Sequence, residues 1–186
     1  YKEKIKNNIL FVKNTNPTKL VDDFLRDYID KTEVENDSIM KQISWKNMQY
    51  LWKLYLDDKN CPSVIFMNNL KQLLIGKLDE HYQIENDTFL NVSSKYLPSI
   101  QQFLKFWDHT MTKDEDETDL EIEEVILMFK SWALAENEIY TSLTEQQIVD
   151  IIHYYYQGME ILHDKYIMGL RCNVWDKQVD LHVALE

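Results

Sequence analysis

Apolar residues recur at intervals of three and four along most of the chain, and polar or acidic stretches interrupt them. Asn16-Pro17-Thr18 is a turn and helix-start signal, after which Leu20, Phe24, Tyr28 and Ile29 predict a helix running to about Lys31. Thr32 to Asp37 is polar and acidic, a connection. Ser44 is placed to cap a second helix whose stripe is Trp45, Met48, Leu51, Trp52, Tyr55 and Leu56. That helix ends at Asp57-Asp58-Lys59-Asn60, because Pro62 pushes Cys61 out of the helical region. Leu70, Leu73, Leu74 and Leu78 mark a further helix. Tyr82, Ile84, Phe89 and Leu90 then flank the polar tip Glu85-Asn86-Asp87-Thr88, which reads as a short β-hairpin.

The second half repeats this order. A helix begins near Pro98 and carries Ile100, Phe103, Leu104 and Trp107, followed by the acidic run Asp114 to Glu117. Asp119 is expected to cap a helix bearing Ile122, Val125, Met128, Phe129 and Trp132, and Thr144 one bearing Ile148, Ile151, Ile152 and Tyr155. Gly158 sits where a helix stop belongs, and Met159, Ile161, Tyr166 and Ile167 flank His163-Asp164-Lys165 as a second hairpin. A gapless offset of 77 places Trp45 on Ile122, Met48 on Val125, Trp52 on Phe129, Tyr55 on Trp132, Ile84 on Ile161 and Phe89 on Tyr166. Of 22 apolar positions from Trp45 to Val92, Cys61 aside, 15 meet an apolar mate, above the roughly 10 that composition alone gives. Identities are few, Lys53 with Lys130 and Asn60 with Asn137 among them.

The expected fold is therefore mainly α, a helical domain with two small β-hairpins. If the repeat is real, the two units are tandem winged-helix-like modules; otherwise the hairpins are incidental. The expected division is an N-terminal helical segment over 1–43, a first helix-helix-hairpin unit over 44–97, a connecting helix and acidic loop over 98–118, a second unit over 119–174, and a tail over 175–186.

Composition narrows the function. The 186 residues are 45% hydrophobic, ample for packed cores. The three glycines, Gly76, Gly158 and Gly169, stand too far apart for a dinucleotide fingerprint or a phosphate loop. Cys61 and Cys172 lie 111 residues apart with no zinc spacing, which suits a reducing, intracellular compartment. There is neither a membrane-length apolar run nor a signal-peptide pattern at the start. The first residue is Tyr, so a domain of a larger protein is expected. The net charge of −12 is uneven: residues 1–97 balance, with 14 basic and 14 acidic groups, and the whole deficit lies beyond Leu97. Phosphate neutralisation by Lys and Arg supplies most non-specific nucleic-acid affinity. The second half is thus suited to a protein partner or to a basic surface elsewhere in its parent protein, and any DNA contact falls to the first.

Within the first unit, Asn68, Asn69, Lys71, Gln72 and Lys77 are the residue types that read base edges and phosphates, should their helix be a recognition helix; the same residues also fill ordinary solvated faces. In the second, the run Tyr154-Tyr155-Tyr156 cannot be wholly buried on one helix. Tyr154 or Tyr156, with Trp175 in the tail, are the candidate protein contacts, ordinary partial exposure being the alternative. Trp45, Trp52, Trp107 and Trp132 are assigned to the core. His153 and His163 lack the spacing of a metal motif, Asp114 to Glu117 lacks the alternation and glycine of a calcium loop, and neither cysteine has a paired base. No cofactor, metal or catalytic residue is assigned.

Three stretches belong together: Ile43 to Lys53 (ISWKNMQYLWK), Leu97 to Trp107 (LPSIQQFLKFW) and Asn173 to Asp180 (NVWDKQVD). They resemble the accessory region that follows the helicase core in D5-like primase-helicases of large DNA viruses, and the Asn-, Lys- and Ile-rich usage suits an AT-rich genome. The Walker motifs of that core are absent, so no ATPase residue carries over. The resemblance implies a non-catalytic appendage of a viral replication or transcription protein, in the host cytoplasm or nucleus, contacting DNA through the first unit and protein through the second. The competing expectation is a protein-interaction or scaffold module with no nucleic-acid contact.

Overall fold

Asn16 opens α1 (Pro17–Tyr28) by accepting the Thr18 N–H on its side-chain oxygen at 2.9 Å. The helix stops short of Lys31. Ile29 turns extended, and Asp30 and Lys31 form a two-residue strand, β1, against a later partner. The computed structural model describes residues 16–31, 41–114 and 119–174, in two units that divide between Leu97 and Pro98.

In unit 1, α1 and β1 are followed by β2 (Gln42–Ser44), α2 (Trp45–Asp58), α3 (Met67–Lys77), a 3₁₀ turn at Asp79–His81, β3 (Tyr82–Gln83), β4 (Thr88–Leu90) and β5 (Val92–Ser93). The strand before the helices joins the hairpin after them, giving an antiparallel sheet in the order β2-β4-β3, while β1 pairs separately with β5. Unit 2 has the same order: α4 (Leu97–Thr110), β6 (Met111–Lys113), β7 (Asp119–Glu121), α5 (Ile122–Ala135), α6 (Glu145–Tyr155), β8 (Ile161–Leu162), β9 (Tyr166–Met168) and β10 (Leu170–Cys172). Its sheets, β7-β9-β8 and β6-β10, repeat the pairing. The helix near Pro98, read from sequence as a connector, thus holds the place in unit 2 that α1 holds in unit 1.

The register corrects the gapless offset. Ile43 pairs with Phe89 in unit 1 and Leu120 with Ile167 in unit 2, so Phe89 corresponds to Ile167 and not to Tyr166. The reason lies in the inter-helix loop, which runs over 59–66 in one unit and 136–144 in the other, one residue longer. The offset is 77 up to the end of α2, 78 over α3, 79 at β3 and 78 again from β4 onward, since the hairpin turn of unit 2 is one residue shorter. Both loops begin alike. Asn60 and Asn137 adopt left-handed φ of 51° and 54°. The next residue's N–H reaches back to the last turn, Cys61 to Leu56 at 2.8 Å and Glu138 to Ala133 at 2.8 Å, the Schellman closure of a helix. Asn serves because it tolerates this conformation better than other side chains.

Ser44 and Thr144 cap α2 and α6 as expected, accepting from Asn47 and Gln147. Asp119 does not cap. It is the first residue of β7, and the cap of α5 is Glu121, whose backbone N–H donates to the Glu124 carboxylate at 2.9 Å in a reciprocal capping box.

Each core is built on one aromatic arrangement. Phe24 of α1 meets Trp52 of α2 edge-on, with centroids 5.2 Å apart and planes at 89°; Phe103 of α4 meets Phe129 of α5 at 5.4 Å and 89°. Such pairs add about 0.5–1.5 kcal/mol beyond burial. Tyr28 stacks on Tyr96 and Trp107 on Tyr156, closing the ring of each cluster. Trp52, Trp107 and Trp132 are buried, whereas Trp45 is only half-buried, its ring lying under the Lys71 ammonium at 5.4 Å.

Trp52 Nε1 is the one buried side-chain nitrogen or oxygen among the described residues without a hydrogen-bond partner. Its counterpart in unit 2 is Phe129, which has no polar atom to satisfy. Trp52→Phe is therefore expected to cost well under the roughly 3–5 kcal/mol of a Trp→Ala truncation, since it removes an unsatisfied donor along with some volume. Urea denaturation of the two variants checks this. Asn60→Gly and Asn137→Gly are expected to hold or raise the unfolding midpoint, and the corresponding Val variants to lower stability by about 1–2 kcal/mol, the left-handed penalty.

Candidate functional site

Helix α3 carries the residues singled out for base and phosphate contact. Leu70 and Leu74 point into the core, which turns Asn68, Asn69, Gln72 and Gly76 outward. The three amide side chains share this exposed face. The glycine beside them has no packing reason for being there: a methyl group added at Gly76 would meet nothing within 4 Å. The helix accepts a residue that costs about 0.5–1 kcal/mol relative to Ala and leaves a flat spot on the surface.

The two lysines are placed differently. Lys71 Nζ lies 2.8 Å from Asp87 Oδ2, and the Tyr82 hydroxyl donates to Asp87 Oδ1 at 2.7 Å. Asp87 itself has a left-handed φ of 50°, and its carbonyl accepts the Trp45 N–H at 2.9 Å. One residue at the hairpin turn thus binds the start of α2 through its backbone, and α3 and β3 through its carboxylate. Partial burial works to raise the Asp87 carboxyl, but the Lys71 and Tyr82 hydrogen bonds outweigh it and hold the group below the usual carboxylate range. The same bond raises Lys71. Lys77 pairs with Asp22 of α1 at 2.5 Å. Both lysines therefore tie elements of unit 1 together, and the outward-facing set reduces to Asn68, Asn69 and Gln72.

In unit 2 the equivalent helix, α6, turns Gln146, Gln147 and His153 outward, with Asp150 half-buried. Tyr156 is committed internally. Its hydroxyl donates to Asp108 Oδ1 at 2.7 Å, its ring stacks on Trp107 at 5.0 Å, and burial with the Asp108 carboxylate pushes the hydroxyl far up, so it stays protonated. Tyr154 is half-buried, its hydroxyl raised by burial, and its ring meets Tyr155 edge-on. Trp175 and Glu115 to Glu117 lie outside the described residues.

The remaining chemistry is dispersed. His153 and His163 are exposed, and among the described residues no group of three or more His, Cys, Asp or Glu comes together. Cys61 is half-buried with its thiol pushed up by burial, which disfavours the nucleophilic thiolate, and Cys172 is buried; neither is in a disulfide. No described helix is long and apolar enough to cross a membrane.

The sequence reading missed a set of exposed apolar side chains: Phe66 at the start of α3, Ile84 at the hairpin tip, and Leu127 and Leu134 on α5. The two leucines were legible, since they lie seven apart and off the stripe of Ile122, Val125, Phe129 and Trp132. No protein-family model matches the chain, and searches of curated proteins and of solved structures return no match to it.

The Asp87 cluster sets a pH dependence. A carboxylate held below its unfolded value contributes stability that is present above that value, about 3.9, and is lost as the pH falls through the folded one. Asp87→Asn is expected to lower the melting temperature at pH 7, the gap to the unsubstituted protein narrowing below about pH 4. Melts followed by circular dichroism across pH 3–7 check both.

Proposed function

We propose that the chain is a non-catalytic accessory binding module of a viral replication or transcription protein, made of two winged-helix-like units, of which the first contacts DNA and the second a protein. The order helix, strand, helix, helix, hairpin, with the first strand beside the last in a β2-β4-β3 sheet, supports the winged-helix reading. In that reading α3 and α6 are the recognition helices and the Ile84 turn is the wing. The observation that carries the DNA assignment is the outward amide row Asn68, Asn69 and Gln72 beside a glycine that packing does not require. Asn and Gln match the paired donor and acceptor of adenine in the major groove, and a bare helix surface admits close approach.

Lys71 and Lys77 belong to the fold in this account, so little phosphate neutralisation comes from α3. Binding should be weak, with a salt slope shallower than that of a protein making 6–10 phosphate contacts. Against the whole chain, AT-rich duplex DNA measured across a salt series is expected to lose about 5- to 150-fold in affinity with Asn69→Ala/Gln72→Ala, the range for one bidentate base contact. Gly76→Ala is the sharper variant. It should raise stability by about 0.4–1 kcal/mol while weakening DNA binding, a combination that a purely structural glycine would not give. A second reading, protein contact alone, is favoured by the internal pairing of Lys71 and Lys77, and an absence of DNA binding at low salt would select it.

A further inference from the structure

We infer that the outer face of α5 docks a basic amphipathic helix of a partner protein. The inner face of α5 is spent on the core, with Ile122, Val125, Phe129, Trp132 and Ala133 buried. On the opposite side Leu127 is 67% exposed and Leu134 63% exposed. Seven apart, they stand two turns from each other in one row, with Glu123 one turn before Leu127 and Lys130 between them. Single exposed leucines are common, but two in register on a helix leave a strip of the shape that i, i+3 and i+7 anchors of a second helix fill.

The sister helix shows that this row is not demanded by the fold. At the matching positions α2 has Lys46, Tyr50, Lys53 and Asp57; Tyr50 is buried, and Lys53 and Asp57 form an ion pair at 3.5 Å. Where one copy ends its face with a charged pair, the other places Leu134.

Charge selects the occupant. All of the net −12 lies in residues 98–186, and residues 119–174 hold three basic groups against ten acidic ones. Lys165 is engaged with Glu121, Arg171 approaches Asp114, and Lys105 is paired with Glu138, so the unit's cations are largely answered while the acidic excess is not. A second copy of this chain would bring the same negative charge to the same surface. A helix with leucine-like anchors on one side and Lys or Arg along its edges meets both the apolar row and the field around it, and the field speeds encounter. Lys130 admits one acidic residue near the centre of that partner.

This inference rests on the reading of the acidic unit as a protein-binding one, and its test separates the two. The full chain is titrated, by fluorescence anisotropy, with two synthetic peptides of identical Leu, Lys and Ala composition, one with leucines at i, i+3 and i+7 and the other scrambled to destroy the stripe. The striped peptide is expected to bind at least tenfold tighter than the scrambled one. Leu127→Ser/Leu134→Ser should remove at least tenfold of that affinity, while Leu162→Ser, at an exposed leucine of β8, should leave it unchanged; circular dichroism confirms that both variants are folded. Unaltered binding by the double variant, or equal binding of the two peptides, would overturn the α5 site and leave the protein-binding reading standing. If neither peptide binds at low salt, both fall.

Discussion

Everything in each unit is arranged around a phenylalanine of the first helix set edge-on against an aromatic ring of the second. Phe24 on Trp52 and Phe103 on Phe129 have nearly the same separation and the same perpendicular planes, although the acceptor ring is an indole in one and a phenyl in the other. An edge-to-face contact fixes direction as well as distance, because the positive ring edge must meet the negative face. In both units the strand that follows, β2 or β7, meets the hairpin in the same register, with Ile43 on Phe89 or Leu120 on Ile167. The third helix then closes over the leucines and isoleucines that remain.

On this common frame the two units use different means to hold the third helix to the hairpin. Unit 1 relies on charge: Asp87 collects Lys71, Tyr82 and the first N–H of α2. In unit 2 the residue matching Lys71 is Val149, which is buried, while the N–H of Ile122 goes to the Lys165 carbonyl just as that of Trp45 goes to the carbonyl of Asp87. Asp87 itself is matched by Lys165, so the ion pair of unit 1 has no equivalent in unit 2, where a buried apolar side chain takes the place of the lysine.

The helices and hairpins were legible because their signals are local: a period of 3.6, a Ser or Thr cap, a polar tip between short apolar runs. The short strands β1, β2, β5, β6, β7 and β10 were not, since two or three residues carry no period and are defined by partners some fifty or sixty positions away. Asp119 was misread for that reason, as a cap residue by type that pairing with β9 converts to a strand. The partners of Lys71 and Lys77 were hidden in the same way. Their residue type suits phosphate, and only the fold brings Asp87 and Asp22 to them. Tyr156 looked like interface material until Asp108 and Trp107, nearly fifty residues earlier, were seen to hold it. The repeat itself was visible in outline, and the single extra residue between α5 and α6 was hidden by the tolerance of helical periodicity to a shift of one.

The β1–β5 and β6–β10 ladders have a consequence for the order in which the protein is made. Lys31 pairs with Val92, so the ladder that follows the first helix of unit 1 closes only after the last strand of the unit exists. At translation rates of about 5–20 residues per second, the intervening chain takes roughly 3–12 seconds to appear. During that time the aromatic face of α1, with Phe24 and Tyr28, has left the ribosome without its closing ladder. Unit 2 repeats the same delay with Phe103 and Trp107. The nascent chain therefore passes twice through a stage in which a first helix with aromatic side chains on its inner face lacks its closing ladder, and a holdase that recognises such helices would find its substrate there.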